Sequence, residues 1–455
     1  MKENKMGVAP VNTLLLKMSL PLMLSMLVQA LYNIVDSIFV SQINEYALRA
    51  VSLAFPLQML MFSFAIGTSV GMSAYVSKSL GEKEFRRANA TAENGIFLEC
   101  ISYVVFFFVG LLASRPFFCS QSDIAEVQNY GVTYLSICCM AGIGVFMQMT
   151  FERLLQSSGK TIYTMYTQLA GAVTNLIFDP LLIFGIGFFP KMGIAGAAVA
   201  TVMGQWVAGA LAIFFHLRFN KEIHVSIREF RPNPRLIGII YSVGAPAIVM
   251  QAIGSVMTYG MNLILASFGA AQTVFGIYFK LQSFIFMPVL GLNNGMVPLI
   301  AYNFGAGKKD RILKTMKTAI FYAVCIMLLG VAAMELLPAQ LIGFFNATEE
   351  LVAIGVPALR TICLSFLFAG YCIIVGSVFQ ALGNGVYSMI VSIARQLCVL
   401  LPVAYLLSLS GNVNLIWWAF PIAELMSVAV TTFFFVRIYK KVISHIGEET
   451  ESPKV

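Results

Sequence analysis

Charge is scarce in this chain of 455 residues: 11% are Asp, Glu, Lys or Arg, where a soluble domain carries roughly 25%. With 59% hydrophobic residues and a mean hydropathy of +0.83, that scarcity excludes a water-soluble protein and marks an integral membrane protein. Short alternating segments are missing as well, which excludes an outer-membrane barrel. There is no C-x-x-C, and of eight cysteines only Cys119 looks loop-placed; the rest, including Cys138 and Cys139, sit in apolar runs. Neither a zinc site nor a disulfide framework is expected, and the thiols serve as small apolar residues. Histidine is limited to His216, His224 and His445, none in the middle of an apolar run. No P-loop, H-E-x-x-H or Ser/His pairing appears, so ATP-driven transport and a membrane enzyme both lack their machinery, and no cofactor is expected. A cleavable signal peptide is not expected either, since the first apolar run follows Lys17 and is too long for an h-region.

What is present is a series of long apolar runs. Runs of 18 or more apolar residues bounded by charge or Gly/Pro clusters predict twelve transmembrane helices, at about 14–40, 51–77, 92–113, 130–155, 162–187, 193–217, 236–265, 273–301, 315–337, 354–381, 386–409 and 415–438. The fold class is all-α. The net charge of +8 does not imply nucleic acid, because the basic residues lie between the runs. The two tails, the even-numbered loops and the span ends beside them hold 23 of the 29 Lys and Arg; the odd-numbered loops hold Arg49, Arg115 and Lys191, and Lys280, Arg360 and Arg395 fall deeper inside spans. That excess predicts both termini in the cytoplasm of a multi-pass protein of the cell membrane.

The longest hydrophilic loop divides the chain into an N-terminal six-helix lobe (1–218), a cytoplasmic linker (219–235), a C-terminal six-helix lobe (236–441) and a cytoplasmic tail (442–455). The halves are copies. Gly67, Gly71, Met72 and Gly81 recur 224 residues on as Gly291, Gly295, Met296 and Gly305, and Gln156, Gly159, Tyr163 and Met165 as Gln380, Gly383, Tyr387 and Met389. Pro21 recurs as Pro246, one residue off. Each half has an even number of spans, so the copies share an orientation, as in transporters that bind substrate between parallel repeats.

The first run carries polar residues against its apolar background. Ser25, Gln29, Tyr32 and Asp36 are spaced 4, 3 and 4 apart, which places them on one helix face. A charge in hydrocarbon costs on the order of 3 kcal/mol and survives facing protein or water, so this face reads as the wall of a transport pathway. In the fifth helix Asn175 and Asp179 share a face, with Gln168 below, and Pro180 removes a helical donor and should kink the helix. Counted from the outer ends at about 1.5 Å per residue, Asp36 lies roughly 8 Å deep, Asp179 roughly 12 Å and Thr201 of the sixth helix roughly 15 Å. Three helices therefore offer oxygen ligands to one layer. Two carboxylates in low dielectric cannot both stay charged cheaply, and a proton or Na⁺, which suits hard oxygen ligands, is the natural counter-charge.

Twelve spans in a 6+6 repeat, P-x(14)-D with Tyr32-Asn33 in the first helix, and N-x-x-x-D-P in the fifth together resemble the multidrug and toxic compound extrusion (MATE) family. Leu80-Gly81-Glu82 and Phe304-Gly305-Ala306-Gly307 resemble that family's cytoplasmic turns, and the resemblance runs from about Leu14 to Lys441. It implies export of bulky, often cationic organic compounds in exchange for H⁺ or Na⁺. It also implies that Asp36, Asn175, Asp179 and Thr201 hold the coupling ion, Na⁺ being one candidate there, with Tyr32 and Asn33 supporting them. Pro21 and Pro180 are the expected hinges. The partners expected are small-molecule drugs, organic cations and the lipid bilayer, with no nucleic acid, and the chain is expected to act as a monomer.

The second half keeps a polar stripe without an acid: Gln251, Ser255, Thr258 and Asn262 repeat the 4-3-4 spacing, Met261 or Asn262 stands opposite Asp36, and Val403 opposite Asp179. Coupling is therefore expected in the N-terminal half alone. Ser25, Gln29, Gln148, Gln251, Ser255, Thr258 and Asn262 are expected to line the substrate cavity, with Phe146 and Met147 beside Gln148. Glu152 and Arg153 are expected at a solvated helix end, Glu99 to snorkel or pair, and Arg395 to pair with Glu424. The alternative function is a flippase for lipid-linked precursors, which would favour a basic cavity over the acids found here.

Overall fold

A computed structural model describes residues 4–447 except 227, 229, 346 and 347. Ile227 and Glu229 of the expected linker and 448–455 of the expected tail lie outside the described residues. Among the described residues eleven helices, and a twelfth segment made of a bent pair, are long and apolar enough to span a membrane and follow one another. These are α1 (Val11–Ser41), α2 (Tyr46–Gly81), α3 (Phe85–Gln121), α4 (Ala125–Met140 and Ile143–Ser157), α5 (Thr161–Phe184) and α6 (Ile194–Phe219). Then come α7 (Pro234–Leu265), α8 (Ala271–Gly305), α9 (Lys309–Leu336), α10 (Glu349–Ala381), α11 (Gly385–Ser408) and α12 (Val413–His445). The two parts of α4 meet at 44°. Each expected span is present, and several run past its apolar stretch: α2 continues to Gly81 and α3 starts at Phe85. Hydrophobicity marks the depth of hydrocarbon, not the length of the helix that crosses it. π-helical turns at Val109–Ala113 in α3 and Ala394–Leu400 in α11 left no trace in the hydrophobic pattern.

By spatial clustering the chain forms two compact units, one of Leu20–Val76 with Phe85–Ala252, the other of Met1–Ser19, Ser77–Glu84 and Ile253–Val455. In the first, Phe106 and Phe146 pack at 6.2 Å between ring centres and Phe64 meets Phe106 at 5.6 Å, with Tyr134, Leu135 and Val145 in the same core. The segment after α6 is tied to α3 in this unit: Asn89 Oδ1 accepts from His224 N, Glu93 Oε1 from Ser226 N and Asn94 Oδ1 from Asn233 N, each at 2.9 Å. In the second unit a short helix, Lys5–Val8, buries Met6. Its carbonyl oxygen accepts from Asn303 Nδ2 at 3.0 Å and Arg311 Nη2 at 2.9 Å.

Close helix packing repeats with the sequence. A side chain at Gly71 of α2 would run into the backbone of Ile240 in α7, within the first unit. Its copy in the second unit, Gly295 of α8, is filled by Ser19 of α1. Small residues four apart let backbones approach, which is how helices associate where the hydrophobic effect gives no help. The turns after α2 and α8 repeat too. Glu84 N bonds Ser79 O at 2.9 Å, and Lys308 N bonds Asn303 O at 2.9 Å. The left-handed position is Gly307 (φ 69°) in one copy and Lys83 (φ 61°) in the other.

Candidate ion-coupling site

The first unit brings the predicted set together. α1 supplies Tyr32 and Asp36, α5 supplies Asn175 and Asp179, and α6 supplies Thr201. The carboxyl groups of Asp36 and Asp179 lie within hydrogen-bonding reach of each other. Asn175 stands between α5 and α6: oriented to satisfy both neighbours, its amide nitrogen donates to Asp179 Oδ2 at 2.8 Å. Its oxygen accepts from Thr201 Oγ1 at 3.2 Å and Thr201 N at 3.0 Å. The Tyr32 hydroxyl is within hydrogen-bonding reach of Thr201. Asp179 and Asn175 are 1% and 2% exposed. Among the described residues no donor reaches Asp36 Oδ1 or Asp179 Oδ1, both of them buried. Facing carboxylates with orphaned oxygens, in a frame of neutral amide and hydroxyl groups, fit a cation such as a proton or Na⁺.

Two contributors escaped sequence reading. Tyr134 of α4 lies close to Asp36 and Tyr32 and within hydrogen-bonding reach of Gln58 of α2 and of Cys138. Both are single polar groups in apolar runs, and only a carboxylate's neighbourhood in space distinguishes them from core residues. The other predicted positions are less gathered. Ser25 is 1% exposed and its hydroxyl donates to Leu22 O at 3.0 Å, so it is spent within its own helix turn. Gln29, Asn33, Gln251 and Ser255 are exposed. Thr258 Oγ1 donates to Gly254 O at 2.9 Å, and Asn262 O accepts from Gln272 Nε2 at 2.6 Å. Pro21 and Pro180 both lie inside continuous helices.

Three expectations about other residues need correction. Glu152 is not at a solvated end: it is 2% exposed, packed against α5, whose Thr167 Oγ1 donates to its Oε1 at 2.7 Å. Glu99 neither snorkels nor pairs; it is fully buried, and among the described residues neither carboxylate oxygen has a partner. Phe146 does not line a cavity but is wholly buried in the core. Arg395 and Glu424 do pair, at 2.8 Å between Nη1 and Oε1.

The architecture defines a multi-pass helical membrane protein holding a facing pair of carboxylates. The MatE family model matches residues 21–181 and again 246–406, each match beginning at one of the paired prolines, and the chain belongs to that family, one of transporters rather than enzymes. The Multidrug export protein MepA of Staphylococcus haemolyticus is similar, 27% identical over 422 residues and 91% of each chain. That of Staphylococcus saprophyticus is 27% identical over 412 residues, 89% of each chain. The solved outward-facing conformation of a multidrug resistance MATE family transporter of the MOP superfamily shares the fold, with a TM-score of 0.91 over 99% of each chain at 23% identity.

Proposed function

We propose that this protein exports organic compounds, many of them cationic, by antiport against H⁺ or Na⁺ held at Asp36 and Asp179. The observation that carries this reading is the close pair of carboxyl groups, Asp36 and Asp179, each with a buried oxygen, Oδ1, that no donor among the described residues reaches, which calls for a small cation. Asn175, Thr201 and Tyr32 would complete the ligand set, with Tyr134 beside it. A cation there offsets part of the negative charge, and the gradient acts on cargo only through the differing affinity of the two transport states. The second half lacks acids at the matching positions, which supports coupling in the first half alone. Pro21 and Pro180 would be the bending points of α1 and α5. Relatives carrying the name multidrug export protein support the choice of cargo over lipid-linked precursors. The basic residues between spans support cytoplasmic termini, in which case a cysteine at Arg228 resists an impermeant reagent added to intact cells.

The test is transport by reconstituted proteoliposomes under separately imposed pH and Na⁺ gradients. One gradient should drive ethidium against its concentration, and the other should not. Equal transport with no gradient at all would end the antiport reading.

A further inference from the structure

Glu152 sits in a cage that the coupling site does not use. Its Oε1 accepts from Thr167 Oγ1 at 2.7 Å and Gln148 Nε2 at 3.0 Å, and its Oε2 from Gln168 Nε2 at 2.8 Å. A carboxylate offers about four lone-pair sites, so one remains open. Gln168 Oε1 is buried and, among the described residues, has no donor. The neighbouring Arg153 is close enough to act on Glu152 electrostatically, while its Nη1 donates to Gln156 Oε1 at 3.0 Å. Two acceptors, one of them a carboxyl oxygen, therefore sit on side chains joined by the Gln168 amide and want N–H groups. Gln148 and Gln168 are partly exposed while Glu152 is not, so the approach to the carboxylate passes over the two glutamines.

Along α5, Gln168 precedes Asn175 by two turns and Asp179 by eleven residues, roughly 16 Å at 1.5 Å per residue. The cage is thus a separate station on the α5 face that carries the ion site.

We propose that Glu152, with Gln168 and Gln148, is a substrate-selecting site for cations that carry N–H groups: amidinium, guanidinium or primary ammonium heads. A planar amidinium can give one N–H to Glu152 and one to Gln168 Oε1, the forked geometry that makes such pairs strong. An onium ion without N–H, such as tetraphenylphosphonium, would leave both acceptors unpaired. This rests on the reading that the cargo is an organic cation, and not on the identity of the coupling ion.

The test is calorimetric titration of the purified full chain with benzamidine and, separately, with tetraphenylphosphonium. Glu152→Gln should weaken benzamidine at least tenfold and change tetraphenylphosphonium less than threefold. Gln168→Met should weaken benzamidine about threefold or more and leave tetraphenylphosphonium unchanged. Equal losses for both ligands, or no loss for benzamidine, would overturn the proposal; the second result is also what a protonated, purely structural Glu152 would give. Should Glu152→Gln fail to fold, as judged by thermal unfolding, Gln168→Met decides by the same criteria. Gradient-driven tetraphenylphosphonium transport by Glu152→Gln should persist. If wild-type protein shows no gradient dependence, the antiport reading fails while the benzamidine preference still stands or falls on the titrations.

Discussion

Asp36→Asn is the change that bears most directly on the proposed coupling site. Asp36 and Asp179 lie within hydrogen-bonding reach, and two unit charges about 4 Å apart interact by about 4 kcal/mol at an effective dielectric of about 20. Each carboxylate attracts a cation lodged between them by a similar amount, so deleting one charge should lower cation affinity on the order of 10³-fold. Asparagine keeps the shape and can still accept a hydrogen bond, so the frame around Asn175 and Thr201 should stand. Removing one of two confined like charges should leave the unfolding temperature unchanged or raised. The assay is ethidium transport in proteoliposomes under the coupling gradient, beside thermal unfolding of the same preparation. Asp36→Asn and Asp179→Asn should each abolish transport against the concentration gradient while the protein remains folded. Uphill transport at the wild-type rate in either variant would refute the two-carboxylate site.

Gln251→Ala and Asn262→Ala should change which compounds are carried but leave gradient dependence; uncoupling as complete as in Asp36→Asn would show that both halves couple. Glu424 is buried and Arg395 is its ion-pair partner, so Arg395→Met should destabilise by about 3–5 kcal/mol, and adding Glu424→Gln should recover most of it. Additive losses in chemical unfolding would show that the pair does not interact. Gly71→Ala should cost about 1–3 kcal/mol by overpacking against α7, whereas Lys83→Gly should gain roughly 1 kcal/mol by relieving a left-handed backbone, both read from unfolding midpoints in detergent.

The spans were legible because twenty or so apolar residues leave little choice but a helix across the bilayer. The gathering of Asp36, Asn175 and Asp179 was legible because they are costly residues in apolar surroundings, and counting turns from the span ends brought them to one depth. Glu152 was misplaced because nearness to the end of the fourth run suggested solvent, whereas α5 covers it. Its partners Thr167 and Gln168 belong to another helix, and no periodicity within α4 announces them. Ser25 shows the opposite limit. It satisfies the 4-3-4 spacing, yet its hydroxyl is taken by Leu22 O, which is open to any serine in a helix.

The pairing of Gly71 with α7 sets an order of events in making the protein. The surface that receives α2 spans Ile240 to Gly244, about 170 residues further along the chain. At roughly 5–20 residues per second, α2 emerges some ten to thirty seconds before its seat exists. The same holds for Ser19, which is made early and waits for Gly295. For that interval the first helices sit in the bilayer with glycine faces turned to lipid, and a nascent chain stalled in the linker could bury neither. A fragment ending at residue 218 should therefore insert and still fail to mature, until residues 234–455 are supplied as a second chain.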